Sequence, residues 1–168
     1  VLEDNDVTIG VVQGVLGIRW FDCTVTGMEA HAGPTPMALR KDALLAATHI
    51  MQDVVAAAHR HPPHGRGTVG MVQVFPNSRN VIPGSVKFSI DLRNSTDAVV
   101  DQMAEEVKAF AARLSQQSGL DVKIELVSSY PAQGFHSNCI DAVARAAQKL
   151  GYSNMPVVSG AGHDAVYM

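Results

Sequence analysis

The chain has 168 residues, 46% hydrophobic and 17% charged, with a formal net charge of -3 and a pI near 6.1. This composition provides for a core, argues against a disordered or coiled-coil chain, and offers no Lys/Arg surplus for a general nucleic-acid or membrane-surface binder. Two cysteines, Cys23 and Cys139, are too few for a disulfide framework or a Cys-built zinc site, no run approaches the ~18 apolar residues of a membrane span, and reduced thiols in a cytoplasmic protein are expected.

In chain order, Thr8 to Leu16 reads as a short apolar strand interrupted by Gly10 and Gly14, with Gly17 as a hinge. From Arg19, the residues Phe21, Cys23 and Val25 alternate with Trp20, Asp22 and Thr24, which predicts a half-buried strand ending at Gly27. The run from Ala30 to Pro36 carries two prolines and a glycine and is expected to be irregular. A helix is predicted from about Met37 to Ala58, with Leu44, Ala47, Met51, Val54/Val55 and Ala58 on its apolar stripe. His61 to Gly67 reads as a loop, Thr68 to Phe75 as a second strand and Pro76 to Gly84 as a polar turn. Val86, Phe88, Ile90 and Leu92 alternate with Lys87, Ser89, Asp91 and Arg93, so one face is buried and the other is free for chemistry. Thr96 or Asp97 caps a second helix bearing Val100, Met103, Val107, Phe110 and Leu114, stopped by Gly119, and Val122, Ile124 and Leu126 form a fourth strand.

The order from Arg19 to Val127 is β-α-β-β-α-β. It predicts an α+β, ferredoxin-like unit, a four-stranded antiparallel sheet with two helices on one face. Beyond Pro131 a helix (Asn138 to Leu150) and a strand (Met155 to Val158) run into a Gly-rich loop, and they need another layer to pack on, as do residues 1 to 17. Because the chain starts at Val1 and stops just after that loop, it reads as a piece of something longer.

Candidate functional residues lie mainly between the elements. His31 sits between a strand end and a Pro-rich turn, where an imidazole can donate a hydrogen bond or a proton, though a surface-loop histidine fits the position too. Asn77, Ser78, Arg79 and Asn80 suit either a carboxylate site or simply a turn. Arg93 either meets a ligand from the polar face of its strand or pairs with Asp91 across the pleat. Ser159 to Asp164 offers unobstructed backbone amides beside His163 and Asp164, and it lacks the Lys-Ser/Thr ending of a phosphate-binding loop. His59, His61 and His64 could chelate a metal, but their two prolines and glycine suggest a floppy exposed loop, and Glu105 and Glu106 read as solvent-facing charge.

Three strings, GIRWFDCTVTGMEAHAGPTPMALRKDALLAA, FPNSRNVIPGSVKFSIDLR and VVSGAGHDAVYM, resemble the M20-type metal-dependent amidohydrolases. More narrowly, they resemble the group of N-carbamoyl-L-amino-acid hydrolases, β-ureidopropionases and allantoate amidohydrolases, in order along essentially the whole chain. The resemblance implies a parent enzyme with a dinuclear metal domain and a smaller ferredoxin-like lid that forms a homodimer. Residues 1–18 would then end a segment of the catalytic domain, residues 19–127 would be the lid, and residues 128–168 would return to the catalytic domain. It implies that the two divalent ions (zinc or manganese) are bound outside this segment, which supplies no metal ligand. It also implies roles for five residues. His31 would reach into the neighbouring subunit's site to stabilise an oxyanion, Asn80 and Arg93 would hold the substrate carboxylate, and Gly162 and His163 would lie on the substrate-side loop. The implied reaction is hydrolysis of the carbamoyl C–N bond of a small ureido acid, with allantoate or β-ureidopropionate as alternative substrates. A non-catalytic module that dimerises or binds a small carboxylate is the other class, and the isolated chain is expected to be inactive.

Overall fold

A computed structural model describes residues 1–167 of the chain. It opens with β1 (Ile9–Val15) and β2 (Gly17–Thr26), followed by the short strand β3 (Ala30–His31) and helix α1 (Ala43–Arg60). Strands β4 (Arg66–Thr68), β5 (Val72–Phe75), β6 (Val81–Ile82) and β7 (Ser85–Asn94) come next, then α2 (Asp97–Ser118) and β8 (Asp121–Tyr130). The chain continues through β9 (Gln133–Gly134), α3 (Ser137–Lys149) and β10 (Asn154–Ser159).

The main sheet is antiparallel in the order β4-β7-β2-β8, with β5 also pairing β7. It has five strands rather than the expected four because the run Thr68 to Phe75 is broken. β4 and β5 both lie along β7, and between them Ser89 Oγ accepts from the Met71 N–H while the Ser89 N–H donates to Met71 O. Both helices cover one face. Phe21, Cys23 and Val25 of β2 and Val86, Phe88, Ile90 and Leu92 of β7 meet α1 and α2 in a single core. β4 sits close on α1 because Gly67 has no side chain: a Cβ there would fall 2.3 Å from the Val54 carbonyl oxygen.

Helix α1 differs from expectation at its start. Met37–Leu39 is an isolated 3-10 turn and Arg40 is extended. The helix begins after Asp42, whose carboxylate accepts from the Leu44 and Leu45 amides and so satisfies two of the orphan donors of the first turn. Its buried stripe is Ala43, Ala46, Ala47, Ile50, Val54 and Ala57, with Val55 exposed, so the true stripe is rotated from the expected one towards the small residues. Gly119 closes α2 in the left-handed conformation that a residue without a side chain tolerates. β8 runs on to Tyr130 through a bulge at Val127, opposite Trp20 and Phe21, and Leu126, paired with Phe21 on this edge strand, is exposed instead of buried. Glu106 is not free surface charge. Its carboxylate receives Arg60 Nε at 2.9 Å, and the His61 ring lies 2.8 Å away, joining the end of α1 to α2. Burial works to raise the Glu106 pKa, but these hydrogen bonds outweigh it and hold the carboxyl below its ordinary value.

The second sheet has the order β10-β1-β9, with β1 and β10 parallel, and α3 packs against it. Its outer side is bare: Val143 and Leu150 of α3 are 50% and 70% exposed. Arg19 ties the two sheets together where the chain crosses between them. It donates to Asp97, Asp101 and the Tyr130 carbonyl, and Asp97 in turn accepts from the Ala132 N–H.

The two thiols differ in accessibility. Cys23 is fully buried, and burial pushes its pKa up to about 12, whereas Cys139 is exposed. An aromatic disulfide reagent is therefore expected to titrate Cys139 rapidly in the native chain and Cys23 only after denaturation. Rapid titration of both would show that the core opens readily.

Candidate functional site

The five candidate residues fall into two places. His31 and Asn80 share one corner. The region from Ala30 to Pro36 is less irregular than expected, because β3 pairs with β6 (His31 opposite Val81) and the Ala32 N–H donates to Asn80 O at 2.8 Å. The His31 ring is exposed, and its Nδ1 accepts from the Gly33 N–H at 3.1 Å. A neutral imidazole that accepts at Nδ1 carries its proton on Nε2, so His31 presents an N–H donor. Ser78 Oγ donates to Asn80 Oδ1 at 3.0 Å, which leaves the Asn80 amide N–H groups for a ligand. The corner is thus a pair of neutral donors suited to an oxyanion or a carboxylate.

Arg93, Gly162 and His163 share the other place, a cleft of about 510 Å³ between the two sheets. Trp20, Arg93 and Tyr130 line it from the main sheet, and the loop from Ala161 to Asp164 lines it from the second. Arg93 donates through Nε and Nη2 to both Asp91 oxygens, at 2.9 and 2.6 Å, and through Nη1 to the Gly160 carbonyl. A guanidinium has five N–H donors, so one remains on each Nη. The Asp91 hydrogen bonds raise the Arg93 pKa beyond its ordinary value despite partial burial. His163 Nδ1 accepts from the Ala165 N–H at 3.1 Å, and its ring lies 5.2 Å from that of Phe135.

Strand β7 separates the two places. Asn80 precedes its first residue, Ser85, and Arg93 stands near its far end, so the strand alone holds them about 26 Å apart at the usual rise per residue. Asn80 and Arg93 of one copy cannot grip the same carboxylate. Sequence reasoning missed the aromatic pair in the cleft, Trp20 and Tyr130, whose rings meet edge-on at 6.0 Å. The alternation of β2 did place Trp20 on the open face; the Val127 bulge that turns the end of β8 left no such signal.

Among the described residues no three His, Cys, Asp or Glu side chains gather closely enough to hold a metal ion. His61 is engaged by Glu106 rather than grouped with His59 and His64. No described helix is long and apolar enough to cross a membrane.

The chain is similar to known proteins in sequence and in fold. Residues 13–118 match the M20 peptidase dimerisation domain. The chain is 41% identical over 167 residues to an N-carbamoyl-L-amino-acid amidohydrolase of Rhizobium meliloti, covering 99% of this chain and 40% of that protein. It is 33% identical over 164 residues to the allantoate amidohydrolase of Bacillus subtilis, covering 98% and 40%. The crystal structure of a hydantoinase/carbamoylase-family amidase from Burkholderia multivorans superposes with a TM-score of 0.96 at 47% identity, over 99% of this chain and 41% of that one. The chain thus spans about two fifths of the length of the relatives it matches. The domain match covers most of the main sheet and both of its helices: the chain belongs to the M20 family and carries its peptidase dimerisation domain.

Proposed function

We propose that this chain is the lid and dimerisation portion of a longer amidohydrolase that converts an N-carbamoyl-L-amino acid and water to the amino acid, CO2 and NH3. In this reading residues 19–127 form a ferredoxin-like lid, and residues 1–18 and 128–168 belong to a catalytic domain. The strand order, with both helices on one face, supports the lid assignment. The observation that carries the functional reading is the placement of two donor sets towards opposite ends of β7. Neither set makes a complete site, and they combine when a second copy brings its His31 and Asn80 to the cleft holding Arg93, Gly162 and His163. The bare edge of β4 beside α1, where Met51, Gln52 and Val55 face Gly67, Thr68 and Val69 across a shallow groove, offers a surface for the two-fold contact that this requires.

The two divalent ions (zinc or manganese) of the parent enzyme lie outside this chain, where they would activate the water. The work of this chain is to bind and orient. Arg93, fixed by Asp91, offers its two remaining N–H groups to the substrate carboxylate, and His31 Nε2–H is aimed at the oxyanion that develops on the ureido carbonyl. The higher identity to a carbamoyl-amino-acid hydrolase than to the allantoate enzyme favours the former substrate class.

Ammonia release by the complete enzyme from a panel of N-carbamoyl-L-amino acids, allantoate and β-ureidopropionate tests this reading, and turnover of none of them would overturn it. Arg93→Ala in that enzyme is expected to raise KM about 10–100-fold, with kcat within a few-fold, because it removes a charged ground-state contact. A loss confined to kcat would mean that Arg93 acts in the transition state instead.

A further inference from the structure

The turn that carries His31 has little backbone pairing of its own. Pro34 and Pro36 have no N–H to give, and the carbonyls of Ala32 and Thr35 are left without ladder partners by the end of β3 at His31. A single side chain satisfies both. Arg40 Nη2 donates to Ala32 O at 2.7 Å and to Thr35 O at 3.0 Å, and its Nε donates to Thr35 O at 3.2 Å. Thr35 Oγ closes the turn from within by donating to His31 O at 2.7 Å. Arg40 is partly buried, and among the described residues none of its hydrogen bonds or ion pairs goes to a carboxylate. Its extended backbone, between the 3-10 turn Met37–Leu39 and the Asp42 cap, is what brings the guanidinium back over the turn.

We infer that Arg40 is the positioning residue of His31: by clamping the Ala32–Thr35 turn it holds the Gly33 N–H against His31 Nδ1 and thereby keeps the neutral ring in the Nε2–H tautomer. The chain of contacts is short. Gly33 lies between the two carbonyls that Arg40 grips, and its amide reaches the ring at 3.1 Å. With the grip released, the turn pivots at Gly33 and both tautomers become accessible, only one of which presents the donor that an oxyanion needs. Lysine cannot replace the function in full, because an ammonium is a point charge, whereas the planar fork spans two carbonyls at once.

Two measurements test this, and the kinetic one rests on the catalytic reading of His31 above. In the 168-residue chain, long-range 1H–15N spectra of the His31 imidazole at neutral pH are expected to show the Nε2–H tautomer, and Arg40→Ala is expected to give a tautomer mixture with an unchanged melting profile. In the complete enzyme, Arg40→Ala is expected to lower kcat about 10–100-fold with KM within about threefold, Arg40→Lys to fall between, and Arg40→Ala to cost nothing further in a His31→Ala background. Retention of the Nε2–H tautomer in Arg40→Ala would overturn the inference, as would an equal loss of kcat with and without His31, which is the pattern of a merely structural residue. Should Arg40→Ala fail to fold, the same comparison with Arg40→Lys decides it. If His31→Ala alone leaves kcat intact, the catalytic reading of His31 falls together with the kinetic half of this inference, and the spectra still decide whether Arg40 sets the ring.

Discussion

In the complete enzyme, His31→Ala is expected to lower kcat by about 10²–10³-fold while leaving KM within about threefold. The expectation follows from what the ring offers. Its Nδ1 is taken by the Gly33 N–H, so the neutral imidazole has one thing to give a substrate, the proton on Nε2. A hydrogen bond to the carbonyl oxygen of a ureido group is modest while that oxygen is neutral. It strengthens as the C–N bond is attacked and charge moves onto the oxygen, so its loss falls on the transition state rather than on binding. The ring costs little to hold ready, since the β3–β6 ladder and the Thr35 and Arg40 contacts fix its backbone before substrate arrives. Steady-state kinetics at saturating metal decide the matter. A variant with raised KM and unchanged kcat would make His31 a ground-state contact and reassign the oxyanion donor elsewhere in the corner.

The parts of this arrangement that were legible in the sequence are those written in local pattern. The alternation in Val86 to Leu92 gave β7 and its open face, and hence the position of Arg93. Gly119 gave the end of α2, and the order of elements gave the layering of helices over one face. The onset of α1 was misplaced because Met37, Ala38 and Leu39 look helical in isolation. What stops them is Asp42, which caps the helix five residues later. The stripe of α1 was rotated because hydrophobicity favours large residues, whereas the close approach of the helix to β2, β4 and β7 selects alanines. In the candidate site, His31, Asn80 and Arg93 were visible as residues, but the distance between Asn80 and Arg93 was not. Only the register of β6 and β7 shows that thirteen residues of sequence become the length of a strand. Asp91 was weighed only as a bland partner for Arg93; the structure makes it the group that fixes the guanidinium and leaves two of its donors directed elsewhere.

That separation makes a mixing experiment more discriminating than any single variant. Take the complete enzyme as His31→Ala and, separately, as Arg93→Ala, each nearly inactive at low substrate. If His31 served the cleft of its own chain, a mixture of the two would stay inactive, since every site would lack one residue or the other. If His31 serves the cleft of its two-fold partner, a mixed dimer contains one site with both residues intact and one site with neither. The intact site lies in the cleft of the His31→Ala subunit, where Arg93 is present, and it receives His31 from the Arg93→Ala subunit. Random re-pairing of equal amounts makes half of the dimers mixed, and half of the sites in those are whole, so about a quarter of wild-type activity is expected to return. Asn80→Ala should behave as His31→Ala does, complementing Arg93→Ala and failing to complement His31→Ala, because His31 ends β3 and Asn80 immediately precedes its paired strand β6 in one corner. Recovery with the His31 and Arg93 pair but not with the Asn80 and Arg93 pair would separate the corner's two members, leaving the oxyanion donor in trans and assigning Asn80 to the site of its own chain, against the roughly 26 Å that β7 puts between Asn80 and Arg93. With a dimer confirmed by sedimentation, no recovery in either mixture would place each site within a single subunit, and the lid would then have to fold His31 across the full length of β7 to reach it.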